Sequence, residues 1–168
     1  MTRHIRKAAC ISLSIALATL PALARAQVGA SIGGGVGIAG STDQSLSDGQ
    51  SGWVINGQIT TSLTPLLKVG GEVDHLHHTG ANATFGTAIA ELSVPVVPFY
   101  IKAGAGYGKA EVNDGGGSVS GFALQLGAGY KIGLPGSPIG LAVFGNAYFA
   151  HGSSRYAQMV DAGLAFRL

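Results

Sequence analysis

Apolar and polar side chains alternate with period two along nearly all of the chain beyond residue 27, the pattern of strands that bury one face. In Gly121 to Ile132, Phe122, Leu124, Leu126, Ala128, Tyr130 and Ile132 share one face, and Ala123, Gln125, Gly127, Gly129 and Lys131 share the other. Near the end, Val160, Ala162, Leu164, Phe166 and Leu168 oppose Asp161, Gly163, Ala165 and Arg167. The pattern predicts eight strands, at 28–39, 52–62, 67–76, 83–94, 98–109, 119–132, 139–150 and 156–168. Each is long enough for a tilted membrane strand, which takes about 9–11 residues.

The connections alternate in character. Pro-rich turns follow the second, fourth and sixth runs: Thr64-Pro65, Val94 to Pro98 and Leu134 to Pro138. Polar loops follow the others: Asp43 to Asp48, His75 to Asn82, Glu111 to Ser118 and His151 to Tyr156. An up-and-down sheet places one set at each end, which is the short-turn, long-loop asymmetry of outer-membrane barrels.

Composition sharpens this. Only 11% of residues are charged, and 28 of the 168 are Gly. So few charges cannot wet the outside of a soluble sandwich, and so much Gly disfavours helix. The faces opposite the apolar ones carry Gly, Ala, Ser and a few charges, which suits a narrow barrel interior. The predicted fold is all-β, an eight-stranded antiparallel up-and-down transmembrane barrel.

The N-terminus reads differently. Arg3, His4, Arg6 and Lys7 precede an apolar run from Ala8 to Ala24, and Ala24-Arg25-Ala26 fits a cleavage site. Residues 1–26 are therefore expected to be a secretory signal peptide of the Sec type, and 27–168 the barrel domain. Removing the leader takes away the one Cys, Cys10, and leaves six Lys and Arg against eight Asp and Glu. That balance supplies no field for nucleic acid.

By parity, Lys68, Glu72, Asp74, Glu91, Lys102, Lys131, Asp161 and Arg167 point inward, four of each sign. If the turn from Pro95 to Pro98 centres between Val96 and Val97, Glu91 lies opposite Lys102, and such a pair would plug a small barrel. A water path lined by these charges is the functional alternative. The outward faces gather Trp53, Phe99, Tyr107, Phe122, Tyr130 and Phe166, candidates for the aromatic girdles at the two membrane interfaces.

Other motifs carry less. Gly35-Val-Gly-Ile-Ala-Gly40 fits a dinucleotide fingerprint but no helix follows it, so barrel-strand glycines explain it better. His75, His77, His78 and His151 fall at one end by topology and could hold a metal or small ligand in the loops, although alternation sends His75 and His77 away from Asp74. His151-Gly-Ser153 has a little of the His-x-Ser of lipid A deacylases, but the only acid that follows is Asp161, with the wrong parity.

Taken together, the leader, the eight amphipathic runs and the alternating turns resemble the small outer-membrane β-barrel family, the OmpA/OmpX-like and opacity-type surface proteins. Gly104-Ala-Gly-Tyr-Gly108 and Gly127-Ala-Gly-Tyr130 are strand phrases typical of it. The C-terminal pattern of Val160, Ala162, Leu164, Phe166 and Leu168 is similar to the family's assembly signal, which the barrel insertion machinery reads, with Leu168 where Phe is usual. The resemblance implies a Gram-negative outer membrane, contact with membrane lipid and lipopolysaccharide, and loops facing host surfaces or small solutes. It implies no cofactor and no catalytic residue. The expected function is a non-enzymatic structural or surface-interaction role, with a monomer expected; a narrow porin-like channel and a lipid A-modifying enzyme using His151 and Ser153 are the alternatives.

Overall fold

The computed structural model describes residues 27–41, 50–93, 96–112, 117–133, 137–152 and 155–168. The leader, the Asp43 to Asp48 loop and Ser153 lie outside the described residues. Eight strands run in chain order: β1 (Val28–Ser41), β2 (Gln50–Ser62), β3 (Leu67–His78), β4 (Ala81–Ser93), β5 (Phe99–Val112), β6 (Gly117–Gly133), β7 (Gly140–His151) and β8 (Tyr156–Arg167). Each pairs antiparallel with the next, and β1 closes on β8 from Ser31 opposite Arg167 to Ser41 opposite Ala157. Closure leaves no edge with unpaired N–H and C=O groups, the condition for a sheet surrounded by hydrocarbon.

The strands are longer than the alternation predicts, mostly at the end opposite the Pro-rich turns. His77 pairs with Asn82 and His78 with Ala81, so the expected loop from His75 to Asn82 shrinks to a turn at Thr79 and Gly80. Glu111 likewise pairs with Ser118, and His151 with Tyr156. Polar side chains had marked these segments as loops. They are ladder positions that have passed beyond the apolar band, where an outward face is wet and takes polar residues.

The interior is filled in layers. Toward the end of the β3–β4 turn, Val54, Leu76, Ala83, Phe85, Ala123, Ala150, Ala157 and Met159 form an apolar cluster with the Tyr148 ring. Leu76, Phe85 and Met159 are fully buried, and Phe85 and Tyr148 pack with ring centroids 4.8 Å apart. Below this cluster the lumen becomes polar.

Candidate functional site

The eight charges expected inside all project from inward-facing positions, and their partners define two polar layers. The first surrounds Glu72, which is 2% exposed. Lys102 Nζ donates to both of its oxygens at 2.5 Å. Its Oε1 also accepts from Asn56 at 3.0 Å and Gln125 at 2.8 Å, and lies 3.1 Å from the Tyr148 hydroxyl oxygen. Asp74 accepts from Asn56 at 2.8 Å and from the Tyr148 hydroxyl. Asp161, opposite Asn146 on β7, accepts from its amide at 3.0 Å. Dense donation of this kind offsets the burial of Glu72 and Asp74, whereas the second oxygen of Asp161 is buried without a donor.

The second layer lies at the mouth formed by the Pro-rich turns. Glu91, fully buried, accepts from Lys131 at 2.8 Å, Arg167 at 2.9 Å, Gln58 at 3.2 Å and Ser93 at 3.1 Å. Lys131 and Arg167 both stack on the Tyr100 ring, 5.0 and 4.9 Å from its centroid. A Cβ added at Gly129 would run into the Tyr100 ring, so the glycine makes the floor on which that ring lies. Lys68 lines the same mouth with no carboxylate partner among the described residues.

One pairing differs from expectation. Glu91 does stand opposite Lys102 in the β4–β5 ladder, but the two are not an ion pair. Lys102 reaches to Glu72 on β3, and Glu91 is held by β6 and β8. Ladder opposition sets which way two side chains point, but in a narrow lumen a long lysine spans to strands beyond its neighbour. Asn56, Gln58, Thr87, Tyr100, Gln125 and Tyr148 complete the network. All occupy inward parity positions, the one signal that could have found them, and all are uncharged, which is why the reading by charge left them out.

On the outer surface Trp53, Phe99, Tyr107, Phe122, Tyr130 and Phe166 are all exposed, at 47–61%. Phe99 faces Tyr130 across the ladder, and Tyr107 faces Phe122. The two pairs lie eight residues apart on β5, about 26 Å along a strand, or about 20 Å of membrane normal at a tilt of about 40°. Just past Tyr107 the outward positions turn polar: Lys109 and Glu111 form an exposed ion pair at 2.5 Å, and Thr84 and Ser120 flank Lys109.

The histidines belong to this polar rim. His75 and His77 stand on the outer face of β3, bonded through Nδ1 to Thr84 at 2.8 Å and Asn82 at 2.7 Å, and the Trp53 ring lies 5.2 Å from that of His77. His78 has the inward parity, and His151 lies on β7, halfway round the barrel from β3. The four do not converge, and no three metal-ligating groups cluster among the described residues. His151 is exposed outside while Asp161 is buried inside, so that acid cannot serve a His151 and Ser153 catalytic unit.

A closed barrel with a filled, hydrogen-bonded polar lumen, a lipid-facing apolar band and aromatic residues at both rims is an outer-membrane barrel. The family defined by the outer membrane protein beta-barrel domain matches residues 10–135, and the chain belongs to it. That family implies a Gram-negative outer membrane. Among solved structures, the chain is similar to Neisserial surface protein A, with a TM-score of 0.60 and 12% identity, covering 85% of this chain and 97% of that one. It is also similar to Ail, the attachment invasion locus protein of Yersinia pestis, crystallised with the heparin analogue sucrose octasulfate (TM-score 0.54, 15% identity, 84% and 97% covered). At these identities the likeness is one of fold. No curated protein matches the sequence.

Proposed function

We propose that this protein is a closed, non-enzymatic barrel that serves the integrity of the outer membrane and reaches it by way of a signal peptide at 1–26. The filled lumen carries the reading. Leu76, Phe85, Tyr148 and Met159 block the outer half, and the Glu72 and Glu91 networks bind seven strands, β2 to β8, together below them. Eight strands leave an interior just wide enough for side chains, which speaks against the channel alternative. The aromatic rims and the band between them supply the contact with lipid and lipopolysaccharide, and the C-terminal alternation ending in Leu164, Phe166 and Leu168 supplies the signal for the insertion machinery.

A surface-interaction role has narrower support. The names of both similar proteins point to the cell surface. The β5–β6 hairpin continues five residues past Tyr107 to Val112, about 16 Å of strand, and carries Lys109 and Glu111 outward. This hairpin, with the outer-rim histidines, is the surface a ligand would meet.

Planar-bilayer recording tests the primary reading. Refolded protein, its folding checked by heat-modifiable gel migration, is expected to give no discrete conductance steps. Reproducible steps from folded protein would make the channel reading correct instead.

A further inference from the structure

The two polar layers are not each neutral. Glu72, Asp74 and Asp161 share the middle of the lumen with one cation, Lys102, whereas Lys68, Lys131 and Arg167 share the mouth at the Pro-rich turns with one carboxylate, Glu91. Both oxygens of Glu91 are already engaged. Lys68 and Arg167 line one cavity at this mouth, and the charges of both act unfavourably on Lys131. Arg167 Nη1 is buried without an acceptor, a cost of the kind a structure offsets by finding a partner.

Between these cations lies a small cavity of about 20 Å³, lined by Lys68, Arg167, Thr60, Ser31, the Gly29–Ala30 backbone and Leu168. A water needs about 10–15 Å³ measured in this way, so the space takes one monatomic ion and excludes phosphate or a carboxylate-bearing ligand. Its lining offers a guanidinium, an ammonium and two hydroxyls, all donors.

We propose that this mouth binds a single halide, chloride in the cell, between Lys68 and Arg167. The ion sits against the Arg167 guanidinium and accepts from Lys68, with Thr60 and Ser31 completing its shell. It brings the local charge closer to balance where β1, β3 and β8 come together, the region of barrel closure. The inference does not depend on whether the barrel conducts.

Chloride NMR line broadening on the refolded barrel in a zwitterionic detergent, titrated against gluconate at constant ionic strength, tests it. Saturable broadening displaced by bromide is expected. Lys68→Gln, which removes an unpaired and partly exposed charge, should weaken the apparent affinity about tenfold. Lys109→Gln at the opposite end should leave it unchanged. Broadening that does not saturate, or that persists undiminished in Lys68→Gln, overturns the proposal. Should Lys68→Gln fail the heat-modifiability check, wild-type crystals soaked in bromide decide the matter. An anomalous peak between Lys68 and Arg167 supports the site, and no peak there refutes it.

Discussion

Lys102 Nζ lies 2.5 Å from both carboxylate oxygens of Glu72, two strands away, while Glu91, its direct neighbour across the β4–β5 ladder, is held by Lys131 and Arg167. The plug is therefore made of two separate ionic layers, and the separation can be measured. In urea unfolding from lipid vesicles, Glu72→Ala alone should cost about 3–5 kcal/mol, because it strands a buried ammonium. A double-mutant cycle of Glu72→Ala with Lys102→Ala should show coupling above about 1 kcal/mol, whereas Glu91→Ala with Lys102→Ala should be additive within about 0.5 kcal/mol. Strong coupling in the second cycle would mean that the ladder pair is the ionic one.

The apolar layer predicts a different phenotype. Phe85 is fully buried against Tyr148. Phe85→Ala should destabilise the barrel by about 3–5 kcal/mol through lost burial and a cavity. Because Phe85 belongs to the layer that closes the outer half, double replacement of Phe85 and Leu76 by Ala should produce brief conductance events in a bilayer where the wild type is silent. Silence from the folded double variant would place the barrier in the ionic layers instead.

Two glycines should respond in opposite ways to alanine. At Gly129 the new Cβ would collide with the Tyr100 ring that carries Lys131 and Arg167, and Gly129→Ala should cost about 1–3 kcal/mol. At Gly57, on the lipid-facing side, a Cβ meets nothing within 4 Å. Gly57→Ala should stabilise by about 0.5–1 kcal/mol, since glycine in a strand carries an entropic cost with nothing here to require it. Urea midpoints of the two variants check both signs.

Trp53, the one tryptophan of the chain, reports on the outer rim. It is half exposed, on the outer face beside His77. Lipids brominated near the headgroup should quench its fluorescence more strongly than lipids brominated near the chain end. The reverse order would place Trp53 at mid-membrane and remove the girdle assignment for this rim.

Much of this was legible in the sequence for a simple reason. A strand sends successive side chains to opposite faces, so parity alone assigned Glu72, Glu91 and Asp161 to the inside and Tyr107 and Phe122 to the outside. The two prolines of the β4–β5 turn were enough to place Glu91 opposite Lys102. What misled was the polar stretch from His75 to Asn82, which is strand on both sides of a two-residue turn at Thr79 and Gly80. Alternation between apolar and polar disappears once a strand leaves the membrane, because both faces of the ladder then tolerate polar residues.

Sequence alone thus determined the number of strands, their inward and outward faces and the neighbours that short turns impose. Only the tertiary structure decided the register in which β8 closes on β1, that Lys102 belongs to Glu72 rather than Glu91, and that Lys68 and Arg167 share one mouth without enough carboxylates. Those facts depend on the curvature and stagger of a closed barrel, which bring distant strands within a side chain's length across the lumen. Local periodicity carries no record of that distance.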